Sequence, residues 1–570
     1  MSSIDWCVLC MTIAGIVLYG LYKSRGQKNL QGYLLADRQL PWYHVCLSVM
    51  ATQASAITFL SAPGQAFKDG MGFVQFYLGL PLAMILLCVA FIPIYHKMNV
   101  FTAYEYLEKR FDVKTRTLTA VLFLIQRGLS TGITIYAPSL VLSHILSIDI
   151  HYAIGMIGIL VILYTVYGGT KAVSYTQMIQ MAIIFSGLFI AASMVLSLLP
   201  DNVGVVRAMK IAGATGRMNV MNFDFDLNNK YTLWSGLIGG FFLQLSYFGT
   251  DQSQVGRYLT GSSVSESRLG LLMNGMVKIP MQFCILLIGI FVFAYYEFNP
   301  APVNFNKAIV EKVQQSGDVG EFEELVSAYD QATQHKIASA YAYAAALEKG
   351  DASQVQVAKT AYLGHYARSA ESRLAANEFI SGQDKKFDTN DSNYVFLSFV
   401  TEHLPMGLVG LLIAVIFLAS MGSTASGLNS LASTTVVDIY KRWIGKDKTD
   451  RHELLVSRLL TLFWGLFCVF VALNASRLGN LIEAVNILGS LFYGTILGIF
   501  LVAFFMKKVN GHQVFLAAII GEAVVVICYA QNVVEYLWLN VIGCVAVMFI
   551  AWLLLVVSPG KRTGNVKQSG

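Results

Sequence analysis

The sequence predicts an all-α integral membrane protein of about thirteen transmembrane helices, and three observations carry that reading. Of its 570 residues, 55% are hydrophobic and only 13% are charged, against roughly 25% charged residues in an ordinary soluble domain. Apolar stretches of span length, about 20 residues, start near residues 4, 41, 73, 116, 150, 173, 232, 270, 396, 455, 480, 511 and 536. The connections between them alternate between basic and nearly uncharged, as a positive-inside topology requires.

The elements follow in order. Residues 4–22 have the length of a secretory leader but the opposite polarity. Asp5 stands at their start with no Lys or Arg before it, while Lys23, Arg25 and Lys28 follow. They read as a first helix with its N-terminus outside. The odd connections then face the cytoplasm. They carry Arg38 beside that first group, then His96, Lys97, Lys109, Arg110, Lys114 and Arg116, then Lys171, then Arg257 and Arg268. Lys441, Arg442, Lys446, Lys448 and Arg451 follow, then Lys507 and Lys508, and the tail has Lys561, Arg562 and Lys567. The even connections near 148, 476 and 532 are almost free of charge. Residues 200–230, with Arg207, Lys210, Arg217 and Lys230, are a mild exception.

This register places a multi-pass chain in the cell (inner) membrane with its C-terminus inside. The net charge of +6 belongs to the cytoplasmic loops rather than to nucleic-acid contact. All eight cysteines fall in apolar segments. Cys7 and Cys10 have the CxxC spacing but no second pair or histidine cluster, which argues against a metal site. The chain divides into a first membrane part (1–297), an outside insert (298–393), a second membrane part (394–557) and a cytoplasmic tail (558–570). The insert is polar and alanine-rich, with apolar residues at helical spacing, and predicts two or more amphipathic helices. It serves either as a cap or partner surface or as a tolerated insertion.

The chemistry concentrates in residues 46–66, CLSVMATQASAITFLSAPGQA. Thr52, Gln53, Ser55 and Thr58 crowd one short apolar span, with Ser61 and then Pro63-Gly64 beyond. Small and hydroxyl residues hold a helix weakly, and lipid does not solvate freed carbonyls. One reading is a discontinuous helix whose carbonyls and hydroxyls bind an ion and a solute. The other is a small-residue helix-packing face. A second hydroxyl-rich helix lies in the other half of the chain, where Ser420, Ser423, Thr424, Ser426, Asn429, Ser430, Ser433, Thr434 and Thr435 recur. Two such helices suggest two structural repeats with a monovalent-cation site between them. Charged residues at membrane depth default to functional readings. Arg127 is either the partner of an anionic solute or half of a structural pair with a carboxylate on a neighbouring helix. Lys278 and Asn486 are further polar residues at depth, and Glu483 lies nearer the outer interface. In the seventh span, Gln244, Tyr247 and Phe248 precede Gly249, Asp251 and Gln252, either as a gate over a small solute or as core.

The segments LSVMATQASAITFLSAPGQAF, TAYEYLEKRFD, GGTKAV, QVGRYL and LNSLASTTVVDIYKR together resemble the sodium/solute symporters, over residues 30–300 and 393–508. IYAPSLVL is most similar to the iodide, vitamin and monocarboxylate branch, and ATQASAITF to bacterial sialic-acid symporters. The resemblance implies the inverted five-helix repeat core of the sodium-coupled (LeuT-like) transporters, spans two to six and seven to eleven. It implies sodium as coupling ion, on carbonyls of Ala51, Ala54 and Ala419 and on positions Gly422 and Ser423. The family usually has a hydroxyl at the position of Gly422. Either Thr424 or Ser420 substitutes, or the site has one side-chain ligand fewer. A second sodium site of some relatives needs an aspartate where Gln177 stands and a serine where Ala425 stands, which argues for one coupled sodium.

Solute contacts carried over from relatives are Gln53, Ser55, Thr58, Gln75, Gln244, Tyr247, Phe248, Lys278 and Asn486. The carboxylate-holding arginine of sialic-acid relatives aligns with Ser130, one helical turn from Arg127. The implied activity is sodium-coupled symport of a small organic anion, such as a sialic acid or a monocarboxylate. A neutral hexose-like sugar is the alternative, and a non-coupled channel a weaker one. The implied partners are the solute and the bilayer. No nucleophile–base constellation or phosphate loop marks an enzyme, and no appended domain marks a sensor.

Overall fold

Apolar stretches in the chain become helices that cross one another in a single bundle. The computed structural model describes residues 1–23, 38–98, 100–315, 319–383, 388–445, 449–475 and 479–557. Arg25, Lys28, Lys446, Lys448 and the tail 558–570 lie outside the described residues, as does the side chain of Lys171.

The first helix, α1 (Ser3–Lys23), is followed by a pair, α2 (Trp42–Gln53) and α3 (Ala56–Asp69), bent by 61° at a two-residue break. Next come the composite span Met71–Met98 and then α4 (Val113–Leu146) and α5 (Ile150–Ser197). A π turn, Ser235–Gly239, runs into α6 (Gly240–Thr250), which breaks at Asp251 before α7 (Gln252–Tyr258) and the long α8 (Val264–Phe298). Beyond the outside helices α9 (Val319–Lys349) and α10 (Ala352–Gln383) lies the hydroxyl-rich α11 (Leu408–Thr434). The spans Arg451–Leu473, α12 (Leu481–Phe505), Gly511–Ala530 and Tyr536–Val557 complete the membrane part.

Ten helices among the described residues are long and apolar enough to cross a membrane, and the bent pair makes eleven. The other two expected starts, near 150 and 232, correspond to the shorter Ile150–Val166 and to the π turn with α6. Straight, the 48 residues of α5 would be about 72 Å long. Yet the Tyr164 hydroxyl meets Oγ1 of Thr176, a pair that a straight helix would hold about 18 Å apart. The element therefore bends sharply and acts as two spans.

Polar residues start these helices where their side chains can accept free N–H groups. Asp112 does so for α4, Asp149 for α5, Ser263 for α8 and Asn480 for α12. On the outer faces Met11, Val89, Ile159, Phe189, Phe470 and Val557 are all more than half exposed. In water such a belt drives aggregation; facing acyl chains it is the natural surface.

Outside the bundle, α9 and α10 pair through a seven-residue repeat. Phe322, Tyr329, Lys336 and Tyr343 are buried on α9, and Tyr362, Ser369 and Ala376 on α10, the spacing of an antiparallel coiled pair. Buried Glu297, at the end of α8, fastens the hairpin: it accepts from Lys336 Nζ at 3.1 Å and from the Tyr362 hydroxyl at 2.8 Å.

Candidate functional site: a polar cavity between two broken helices

The first break falls at Ala54–Ser55, inside the small-residue run. Ala54 has φ −80° and ψ 82°, and Ser55 is extended. Main-chain bonds at the break skip some carbonyls. The Ala54 N–H donates to Met50, the Ser55 N–H to Gln53 and the Thr58 N–H to Ser55, which leaves the carbonyls of Ala51 and Ala54 outside these bonds. Helix α8 runs beside the break. Gly270 abuts Trp42 and Val45, and Gly289 abuts Pro63, where a Cβ would strike the carbonyl.

The hydroxyl-rich α11 packs against both halves of the broken helix. Its side chains sort by face. Ser420 Oγ donates to the Thr134 carbonyl at 3.0 Å, and Thr424 Oγ1 meets Thr134 Oγ1 at 3.1 Å, so both point toward α4. Ser426 points the other way, and its Oγ meets Thr52 Oγ1 at 3.0 Å across the interface. Ser423 Oγ donates to Ala419 and Ser420 carbonyls at 2.9 and 3.1 Å, which leaves its oxygen free to accept or to ligate.

Gly422 brings no side chain to the expected ligand set. Its carbonyl already accepts from Gln177 Nε2 at 3.1 Å and from Ser426 Oγ at 2.9 Å. A Cβ there would lie 2.7 Å from Gln180 Oε1, so the position faces α5. Ser420 and Thr424, the two possible substitutes, face α4 and do not replace it.

Gln177 ties this region together. Its Oε1 accepts from Ser48 Oγ at 2.6 Å. Its Nε2 stands among three oxygens, Ser426 Oγ at 2.9 Å, Gly422 O at 3.1 Å and Thr52 Oγ1 at 3.4 Å. A neutral amide thus supplies donors to a set of oxygens that would otherwise suit a cation.

The second break, at Asp251, is extended (φ −77°, ψ 118°), and its carboxylate caps α7 through the Ser253 N–H at 2.8 Å and the Ser253 hydroxyl at 2.6 Å. The other carboxylate oxygen, Oδ2, pairs with Arg127 Nη2 and accepts from the Tyr493 hydroxyl at 2.8 Å. The Tyr493 oxygen also lies 3.1 Å from Arg127 Nη2, and the Tyr247 ring sits 5.5 Å from the guanidinium. Asp251 is fully buried. Arg127 therefore belongs to an ion pair with a carboxylate on a neighbouring helix, while its Nε has no partner among the described residues.

Between the two breaks lies a cavity of about 90 Å³. Gln53, Ser55, Thr58, Arg127, Gln244, Tyr247 and Asn486 line it, joined by Ser130 and Tyr493. Buried polar atoms of residues in this region lack partners among the described residues: Gln53 Oε1, Arg127 Nε and both amide atoms of Gln244. Buried polar groups are normally paired, so these atoms mark a surface built for something that is not protein.

Three expected solute contacts are not in the cavity lining. Gln75 lines an outer vestibule of about 890 Å³, where it donates to the Tyr231 carbonyl at 2.9 Å and accepts from the Asn222 N–H at 2.9 Å. Phe248 is buried with its ring against Tyr247. Lys278 is fully buried on α8, on one face with Asn274 and Gln282, and its Nζ has no partner among the described residues. Sequence reasoning missed Tyr493 altogether and gave Asp251 no role. A carboxylate immediately after an apolar, glycine-containing helix was the available signal for Asp251; nothing local marks Tyr493.

Comparison with known proteins places this geometry. The family model for the sodium:solute symporter family matches residues 33–361 and 374–521. A sodium/sialic acid symporter of Aliivibrio fischeri is 25% identical over 562 residues, spanning 97% of this chain and 93% of that protein. A sodium-dependent multivitamin transporter of Oryctolagus cuniculus is 26% identical over 518 residues, 89% of this chain and 67% of that one. The human sodium-coupled monocarboxylate transporter 1 is 24% identical over 512 residues, 90% and 70% of the two chains. A solved structure of a sodium-coupled sialic acid symporter, substrate-bound and outward-open, superposes with a TM-score of 0.76 at 22% identity, covering 98% of both chains. That likeness establishes the fold, an inverted-repeat transporter core.

Proposed function

The chain belongs to the sodium:solute symporter family, and on that premise we propose that it imports a small organic anion through the cavity between its two broken helices. It is a multi-pass membrane protein that couples solute movement to sodium. The proposed sodium ligands are the carbonyls of Ala51, Ala54 and Ala419 and the hydroxyl of Ser423, one side-chain oxygen fewer than the family usually has. Hard monovalent cations take several neutral oxygens, and freed carbonyls at a helix break supply them without a buried charge. With Gln177 serving the neighbouring oxygens as a donor, a single coupled sodium fits the residues present. The proposed orientation has the N-terminus outside and the C-terminus in the cytoplasm, in the inner membrane.

Coupling follows from shared parts. The sodium ligands Ala51 and Ala54 flank Gln53 and adjoin Ser55, which line the solute cavity. An ion that steadies the break therefore orders the solute contacts, and the solute strengthens the ion site by the same factor. Alternating access needs both to bind one state better than the other.

The single observation that carries the anion reading is Arg127. Its Nη2 is spoken for, but Nε is unpartnered, and the residue lines the cavity. A carboxylate accepting from that free edge would form charge-assisted hydrogen bonds. At about 90 Å³ the cavity holds roughly six to nine water-sized spheres. That suits a monocarboxylate of a few heavy atoms, whereas a sialic acid needs a more open state. The neutral-sugar reading draws on a different observation: Asp251 already neutralises Arg127, so the cavity carries no net charge.

Sodium-gradient uptake in proteoliposomes, with a panel of labelled carboxylates and sugars, separates the two. Anion import predicts saturable carboxylate uptake, lost in Arg127→Gln protein that still folds. Uptake of sugars alone, indifferent to the variant, refutes it.

A further inference from the structure

Three arginines are buried among the described residues, Arg116, Arg127 and Arg257. Two have carboxylate partners: Arg116 pairs with Asp438 and Glu108, and Arg127 with Asp251. Arg257 pairs with none among the described residues. Its one side-chain hydrogen bond is long, from Nη1 to Ser174 Oγ at 3.4 Å. A buried cation without a counter-charge is costly, so either water or an anion must reach it.

The structure leaves room for one. Arg257, on α7, lines a second, smaller cavity of about 20 Å³ with Asn429, Ser430 and Ser433 of α11. Asn429 is 3% exposed, and both of its amide atoms lack partners. Ser430 and Ser433 donate their hydroxyl protons back to main-chain carbonyls at 2.7 and 3.0 Å. The guanidinium, the Asn429 amide and the Thr170 hydroxyl are donors available to a ligand, and no lining residue carries a negative charge. The volume holds one or two water-sized spheres, which matches a halide or the head of a carboxylate. Its lining residues on α11 lie three to ten residues beyond Ser423, roughly 5–15 Å, on the basic-loop side of the proposed sodium site.

We propose that Arg257 and Asn429 form a second anion site, distinct from the central cavity, which takes a small monoanion. The anion is either a halide or the carboxylate of a solute leaving the central cavity. Only the second source rests on the anion-import reading.

The test is equilibrium binding of radiolabelled chloride to the full-length protein in nanodiscs, at constant sodium with methanesulfonate as balancing anion. Acetate serves as competitor. Saturable chloride binding is expected, weakened about tenfold or more in Arg257→Gln, the loss of one charge-assisted bond. It should weaken also in Asn429→Ala and be largely retained in Arg257→Lys. Displacement by acetate assigns the site to carboxylates as well; resistance to acetate assigns it to halides alone. If neither anion binds saturably, or if Arg257→Gln and Asn429→Ala bind as the parent does, the cavity is filled by water and the proposal falls. None of these readouts involves uptake, so failure of the import reading leaves them untouched.

Discussion

The two helix breaks solve one problem in opposite ways. At Ala54–Ser55 the chain opens with neutral groups only, leaving carbonyls outside the main-chain bonds and hydroxyls near at hand. At Asp251 the chain opens around a charge, and that charge is balanced within the protein by Arg127 and Tyr493. In the proposed reading the first break is completed by an external cation; the second carries its own. A transporter needs both kinds. One end of the solute cavity must respond to sodium, and the other must stay fixed so that the response has something to move against.

Breaking the second pair should have the largest effect. Asp251→Ala leaves Arg127 buried and unpaired, which costs about 3–5 kcal/mol when a buried partner is removed. Thermal unfolding in detergent should show a large drop in Tm. The double variant with Arg127→Ala should fall well short of the sum of the singles, because contacting partners are not additive. Additive effects would mean the pair is incidental.

At the first break the expected effect is on sodium rather than on stability. Ser423→Ala removes the one proposed side-chain ligand, whose only hydrogen bonds are to its own helix. The sodium concentration for half-maximal uptake should rise about tenfold or more, the scale of a lost bond to a charge, with Tm nearly unchanged. An unaltered sodium dependence would move the ion site elsewhere.

Two smaller changes sharpen the comparison by making the neutral region more like the charged one. Gln177→Asp places a carboxylate among Ser48, Thr52, Gly422 and Ser426. The Hill coefficient for sodium should rise from about one toward two; a coefficient that stays at one would show that this oxygen cluster does not accept an ion. Gly422→Ser adds a hydroxyl against Gln180, whose amide atoms are unpartnered and whose end is free to shift. Because that face points to α5, sodium affinity should change less than threefold, whereas a large gain would put position 422 back among the ligands.

Much of this was legible in one dimension. A span is a run of apolar residues, and a candidate break is a run of small and hydroxyl residues inside one; both are local. Residues 46–66 and 419–435 could therefore be singled out before any contact was known, and so could Gln53, Ser55, Thr58, Gln244, Tyr247 and Asn486. The spans near 150 and 173 were separable by hydropathy even though hydrogen bonding runs through both. What was not legible is the rotation of a helix about its axis. Ser420 and Thr424 differ from Ser423 by a few positions, yet they face α4, and that rotation is set by neighbours far away in the chain.

By itself, the sequence determined that the chain spans the membrane many times, that one helix in each half is rich in hydroxyls, and that the first of them gathers its small and hydroxyl residues within 46–66. These follow from composition within a single turn or two of helix. Only the tertiary structure decided that Arg127 meets Asp251 and Tyr493, that Gln177 closes the oxygen cluster at Gly422, and that Arg257 is left with a cavity instead of a carboxylate. Those partners come from helices more than a hundred residues apart in all but one case, and no local pattern records which faces of distant helices will be packed together.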